Sequence, residues 1–130
     1  MHSIVAIIQN KPDFYALHGA TDSEIEKAEE ILGTQFTEEY RNYVSSFGVA
    51  SFAGHEFTGV CKPKRLNVVD VTIEHRRLNP SLPEDWYVIE ETHIDGITIW
   101  QSPKREIFQV VSENDIKKIN NTLEEFISGL

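Results

Sequence analysis

Catalysis needs reactive groups that the fold can bring together, and in this 130-residue chain such groups are scattered. The five histidines (His2, His18, His55, His75 and His93) never fall at the i, i+2 or i, i+4 spacing that aims two imidazoles at one metal ion. His93-Ile94-Asp95 would set two ligands side by side, but Asp95 precedes Gly96 and is better explained by a turn. No metal or cofactor is expected. Cys61 is the single cysteine. Its neighbour Lys62 is weak support for a nucleophile, which needs a positioned base and a depressed pKa; after Gly59-Val60 at a strand end it reads as a small buried hydrophobe. Gly-x-Ser-x-Gly motifs and Gly-rich phosphate loops are missing. Carboxylates remain. Glu56, Glu90 or Asp95 could contribute to the pair of acids, several Å apart, that glycoside hydrolysis requires. Adjacent Glu90 and Glu91 cannot form that pair on a regular strand, because neighbours there face opposite ways. An acid-rich sheet rim is the commoner arrangement, and no catalytic residue is assigned.

Glu90, Glu91, Asp95 and both tryptophans lie in Trp86–Val111, WYVIEETHIDGITIWQSPKREIFQVV, and this stretch organises the rest. It predicts an antiparallel meander of three strands, Trp86–Glu91, Ile97–Gln101 and Ile107–Val111. Asp95-Gly96 closes the first hairpin, since both positions tolerate positive φ. Ser102-Pro103-Lys104-Arg105 makes the second turn. Ile97 and Ile99 alternate with Thr98 and Trp100, the period of a sheet covered on at least one face.

Helices must supply that cover. Ile4–Gln9 reads as a short apolar helix or strand, with Ser3 as its cap and Lys11-Pro12-Asp13 as its end. Thr21-Asp22-Ser23-Glu24 is a capping box, followed by Ile25, Ala28, Ile31 and Leu32 at helical spacing and by Gly33 as a left-handed terminator. Thr37 opens a second helix with Glu38 and Glu39 in its first turn, where the macrodipole favours acids. Tyr40, Tyr43, Val44 and Phe47 line its apolar face and Gly48 stops it. Ala50–Val60 reads as irregular chain leading to a strand near Glu56–Val60. Asn67–Leu78 is β-branched enough for a strand, yet Val68, Val71, Thr72, His75 and Leu78 fit one helical face, and helix is the choice. Ile116, Ile119, Leu123, Phe126, Ile127 and Leu130 predict a C-terminal amphipathic helix capped by Ser112 or Asn114. The expected fold is α+β over residues 1–130 as one domain. An antiparallel sheet of four or more strands is packed by the N-terminal helices and the C-terminal one.

The formal charge is −9. That argues against nucleic acid, which is bound through clustered Lys and Arg, and favours a basic partner or simple solubility. No run approaches a membrane span, and the N-terminus lacks a basic leader and a cleavage site, so a cytoplasmic protein is expected. The acids cluster in Asp22–Arg41 and in Glu84–Asp95, while Lys62–Arg77 is locally basic. For each cluster a solvated face is the ordinary explanation. Trp86, beside Glu84 and Asp85, suits core packing and interface anchoring equally. Trp100 points opposite to Ile97 and Ile99, and its face is exposed unless a helix covers it.

Three separated stretches together resemble the SUKH superfamily, in the branch named for fungal cell-wall assembly regulators. Ile25–Gly33 is similar to that family's I-x-x-x-E-x-x-L-G helix. Phe36–Val44, followed by Phe47-Gly48, is similar to its F-P-x-D-Y-x-x-F-L…G stretch, with Thr37 for the usual proline and Glu39 for the usual aspartate. Phe57-Thr58-Gly59-Val60, the Thr72…Arg76 helix, Pro83, Val88-Ile89 and Asp95-Gly96 follow in the family's order, and Leu123–Ile127 resembles its closing helix. The resemblance makes Leu32, Gly33, Phe36, Tyr40, Phe47, Gly48 and Gly59 structural positions. It implies an α+β domain without known catalytic residues, and in bacterial members an immunity protein that neutralises a secreted toxin, often a nuclease. On that expectation the partner is a basic toxin and the contact face is Glu84, Asp85, Trp86, Glu90, Glu91, Asp95 and Trp100, acids for steering and rings for anchoring. The acidic outer face of the Asp22–Glu30 helix is a competing surface. A regulatory scaffold that binds a cellular protein or small ligand is the alternative, and a small carboxylate-dependent hydrolase the third.

Overall fold

The computed structural model describes residues 4–130. The Ser3 cap and His2 fall outside that range. The first element is a helix, α1 (Ile4–Gln9), with Ile4 and Ile8 buried one turn apart. Lys11 then donates through Nζ to the carbonyl of Leu130 (3.1 Å), which ties the start of the chain to its end. A two-residue strand that the sequence pattern did not mark, β1 (Tyr15–Ala16), precedes α2 (Asp22–Leu32). The capping box is formed as expected. Glu24 N–H donates to Thr21 Oγ1 (3.2 Å) and Thr21 N–H donates to Glu24 Oε1 (2.9 Å), while Gly33 ends the helix at φ 70°. Thr37 caps α3 (Glu38–Phe47) by accepting from Tyr40 N–H at 3.1 Å.

After Gly48 the expected irregular chain is a tight hairpin, β2 (Ala50–Phe52) and β3 (His55–Glu56). The turn residues Ala53 and Gly54 both sit at positive φ (51° and 78°), the geometry that closes a two-residue hairpin. Beyond it, Phe57 and Gly59 make single bridges, Phe57 to Glu90 and Gly59 to Asn67, so no strand runs through Glu56–Val60. A single turn of 3-10 helix (Lys64–Leu66) leads to α4 (Val68–Leu78), where Asn67 Oδ1 accepts from Val69 N–H (2.9 Å).

The meander is β4 (Tyr87–Glu91), β5 (Thr98–Gln101) and β6 (Ile107–Ser112), with Asp95 and Gly96 at φ 52° and 71° in the first hairpin. The segment read as the start of a C-terminal helix is a fourth strand, β7 (Asp115–Asn120), and the helix, α5 (Leu123–Ser128), is capped by Thr122 instead of Ser112 or Asn114. The i, i+3 pair Ile116 and Ile119 mimics one helical turn. A two-residue turn over Glu113-Asn114 nevertheless folds the chain back on β6 and brings Val110 opposite Ile116.

The strands form two antiparallel sheets, β1-β2-β3 and β4-β5-β6-β7, and the fold is α+β. The Phe57–Glu90 bridge and a hydrogen bond from Thr58 N–H to the Ile89 carbonyl (2.9 Å) join them. One face of the larger sheet, through Tyr87, Ile99 and Ile107, packs in a core with α1, α2, α3 and α5. The other face, through Val88, Trp100 and Val110, packs on Val71 of α4 and on Leu82.

Candidate functional site

Strand β4 decides where the candidate acids go. Its pairing with β5 runs Tyr87–Gln101 and Val88–Trp100, slips by one residue, then resumes Glu90–Ile99 and Glu91–Thr98. The extra residue, Ile89, is a bulge, and it moves Glu90 from the α4 face to the opposite one. Glu90 is only 3% exposed. Its Oε2 lies 2.7 Å from His55 Nδ1, while Oε1 has no hydrogen-bond partner. Burial raises the Glu90 carboxyl above the usual carboxylate range, and the bond to His55 opposes that. Glu91 faces the other way and pairs with His75 Nε2 of α4 at 2.7 Å. The two neighbouring acids thus hold β3 and α4 to opposite faces of one strand.

Trp100 is interior. It has no exposed surface, its Nε1–H donates to Thr98 Oγ1 (2.9 Å), and His75 meets its ring edge-on. The helix that covers it is α4, so the expectation of an exposed ring there is corrected. Asp95 is exposed at the hairpin tip, at the end of β4 remote from Glu84 and Asp85. The seven residues Glu84, Asp85, Trp86, Glu90, Glu91, Asp95 and Trp100 therefore do not share one surface. Only Glu84, Asp85 and half-buried Trp86 remain together, and the Trp86 ring is stacked on Phe108 (4.1 Å between centroids).

A different juxtaposition exists instead. Thr34 Oγ1 donates to the Asp85 carbonyl (2.9 Å), which binds the turn after α2 to the loop carrying Glu84 and Asp85. Arg76 of α4 completes the clasp, donating through Nη1 to the Leu32 carbonyl (2.9 Å) and through Nη2 to the Trp86 carbonyl (3.2 Å). Burial lowers the Arg76 pKa, and Glu84 and Asp85 counter that. In the sequence Arg76 stood out only as the end of the Thr72…Arg76 helix and as part of a basic run, since an arginine late in a helix is ordinarily solvated. A groove of about 460 Å³ lined by Glu26, Glu29, Glu30, Gly33, Thr34 and Gln35 meets, at Gly33, a second of about 540 Å³ reaching Ile73, Arg76, Leu82 and Glu84. The two acidic surfaces that seemed to compete in the sequence are neighbours in space. Glu29 is engaged by Arg41 (3.3 Å) and by Phe36 N–H (2.8 Å). Among the described residues Glu26, Glu30, Glu84 and Asp85 have no ion-pair partner within 4.0 Å.

The remaining family-pattern residues are scaffold. Leu32, Phe36, Tyr40 and Phe47 are at most 5% exposed, and the Phe36 ring packs edge-on against Tyr40 and Tyr87. Gly48 and Gly59 lie where three stretches of backbone cross: a Cβ on Gly48 would strike the His18 carbonyl, and one on Gly59 the Gly48 carbonyl. Beneath them the Thr58 hydroxyl donates to the Val88 carbonyl (2.8 Å) and receives the Tyr40 hydroxyl proton (2.8 Å). Glu39 is buried and accepts from Leu123 and Glu124 N–H (3.2 and 3.0 Å), a carboxylate seated on the N-terminus of α5.

For chemistry the arrangement offers little. Glu56 is held below the usual carboxylate range by the two-pronged hydrogen bond from Arg65 (2.6 and 3.0 Å). Burial raises the Cys61 thiol, the wrong direction for a nucleophile. Among the described residues no group of three or more His, Cys, Asp or Glu is placed to hold a metal ion, and no helix is long and apolar enough to cross a membrane.

These features define an α+β domain that carries unpaired acids on its exposed surface. A family model described as SMI1-KNR4 cell-wall, SUKH_5, matches residues 1–129, and the chain belongs to the SUKH family. Its members are generally non-enzymatic binding domains and often immunity proteins. Comparison with curated proteins returned no significant match.

Proposed function

We propose that this SUKH-family chain is a cytoplasmic immunity-type protein that transforms no substrate and neutralises a basic toxin, with a nuclease as the leading class, by occupying its active cleft. The observation that carries the proposal is that Glu26, Glu30, Glu84 and Asp85, none of them in an ion pair, lie on two segments joined by the hydrogen bond from Thr34 to the Asp85 carbonyl, with Trp86 next in the chain. Of the contact face expected from the sequence, Glu84, Asp85 and Trp86 stay in the proposal. The exposed side of α2 joins them, and Glu90, Glu91, Trp100 and the distant Asp95 leave it. Clustered negative charge on a chain of net charge −9 would raise the encounter rate with a cationic active site. The cell-wall term in the family description favours a second reading, a regulatory scaffold using the same surface on a cellular protein. Co-expression with a toxin encoded beside the gene decides between them. Rescue by the wild type, lost when Glu84→Lys, Asp85→Lys and Glu30→Lys are combined in a chain that still melts normally, is the expected result. Absence of rescue, with recovery of a housekeeping protein on pull-down, favours the scaffold.

A further inference from the structure

We infer that β7 pairs edge to edge with β7 of a second copy of this chain, in an antiparallel contact centred on Ile116; the inference is independent of the binding role proposed above. Among the described residues β7 alone offers a long open edge. The larger sheet ends in β4 and β7, and β4 is already joined to the smaller sheet through the Phe57–Glu90 bridge and the bond from Thr58 N–H to the Ile89 carbonyl. The smaller sheet ends in strands of only two residues, Tyr15–Ala16 and His55–Glu56. Strand β7 has six, is paired on one side only, and is exposed from Asp115 to Lys118. The N–H and C=O groups along its outer side repeat at a spacing that another extended backbone matches.

The order of side chains identifies that backbone as a copy. Pairing with β6 runs without a slip from Ile116 to Lys118, so Asp115 and Lys117 share one face of the sheet and Ile116 and Lys118 the other. A two-fold axis perpendicular to the sheet brings residues of like face opposite each other. Centred on Ile116, it sets that side chain against its own counterpart and Asp115 of each copy against Lys117 of the other. Centring it on Asp115, Lys117 or Lys118 opposes like charges. The lysines that ordinarily guard an edge therefore leave this register open. The groups it would join are unengaged in the single chain. Ile116 is 40% exposed, and among the described residues neither Asp115 nor Lys117 has an ion pair within 4.0 Å. Along Glu113–Asn120 the acids Glu113 and Asp115 are balanced by Lys117 and Lys118, in a chain whose net charge is −9. Two copies meet here without the repulsion that their acidic faces would bring.

The test is sedimentation equilibrium of the full chain from about 10 μM to about 1 mM. A reversible dimer is expected, with the β7 amides gaining protection from hydrogen exchange as concentration rises. Asp115→Lys and Lys117→Asp are each expected to weaken association by about tenfold or more, because both attractive pairs become repulsive. Mixing the two variants makes every pair opposite in sign again, and so does combining the substitutions in one chain. Either should return association to the wild-type level. Both side chains are exposed, so the variants keep the fold, and the double swap decides should one single variant melt early. A chain that stays monomeric, a dimer that neither single variant weakens, or one that the double swap fails to restore overturns the inference. So does a monomer whose β7 amides are protected only by an added acidic peptide, which would give the edge to a foreign strand.

Discussion

Glu90 shows how one side chain can hold two sheets together and still be a source of instability. Burial raises its carboxyl pKa, so the folded chain holds that proton more tightly than the unfolded chain does. Its contribution is greatest below the ordinary glutamate range and is lost as pH climbs through the raised value. The groups that face it are His55, in direct contact, and His93, whose positive form favours ionised Glu90. Urea unfolding over a pH series should show Glu90→Gln gaining on the wild type as pH rises through that window, and a constant difference would contradict the assignment. Glycine positions give a second contrast at the same scale. Gly59→Ala drives a Cβ into the backbone carbonyl of Gly48 and is expected to cost roughly 3 kcal/mol. Gly33→Ala meets open space and carries only the left-handed strain, roughly 1–2 kcal/mol. Denaturation midpoints of the two variants measure the difference.

At the level of elements, α5 is a six-residue helix that would not persist by itself, and its anchor is Glu39. Glu39→Ala leaves two amide groups of α5 without their acceptor and is expected to destabilise the protein by about 1–3 kcal/mol. Hydrogen exchange should then be fastest in Leu123–Ser128. Local signals made most elements readable from sequence. The Thr21 capping box, the Thr37 cap and the apolar spacing of α2 and α3 sit within a few residues of one another, as does the Asp95-Gly96 hairpin. What was hidden depends on distant partners. β7 is recognisable only by its pairing with β6, and β1 only by Ser51 lying opposite Tyr15. Trp100 is interior because α4 crosses it, and Glu90 changes face because of a bulge that no residue type announces. The acids of the candidate surface were visible as a charge cluster; which of them stay unpaired was not, since His55, His75 and Arg41 come from other elements.

For the molecule as a whole, charge is sorted by place. Acids that carry structure are paired inside or at seams, as with Glu29, Glu39, Glu90 and Glu91, and Glu26 and Glu30 on α2 and Glu84 and Asp85 before β4 are left to solvent. Association with a cationic partner should therefore be fast and sensitive to salt. In stopped-flow measurements Glu84→Lys with Asp85→Lys is expected to lower the on-rate by about tenfold at low ionic strength and to flatten its salt dependence. Dissociation of rim-charge variants should change less than association. The slip at Ile89 also sets a rule for how such a chain can diverge. Side chains on the outer rim are free to be exchanged for those that suit other partners, while the pairs that flank the slip must persist. Loss of the one extra residue would leave Tyr87–Gln101, Val88–Trp100, Glu90–Ile99 and Glu91–Thr98 in regular alternation, so the segment can shorten by Ile89 with Glu90 and Glu91 keeping their faces, and what is lost is the packing of Ile89 in the core.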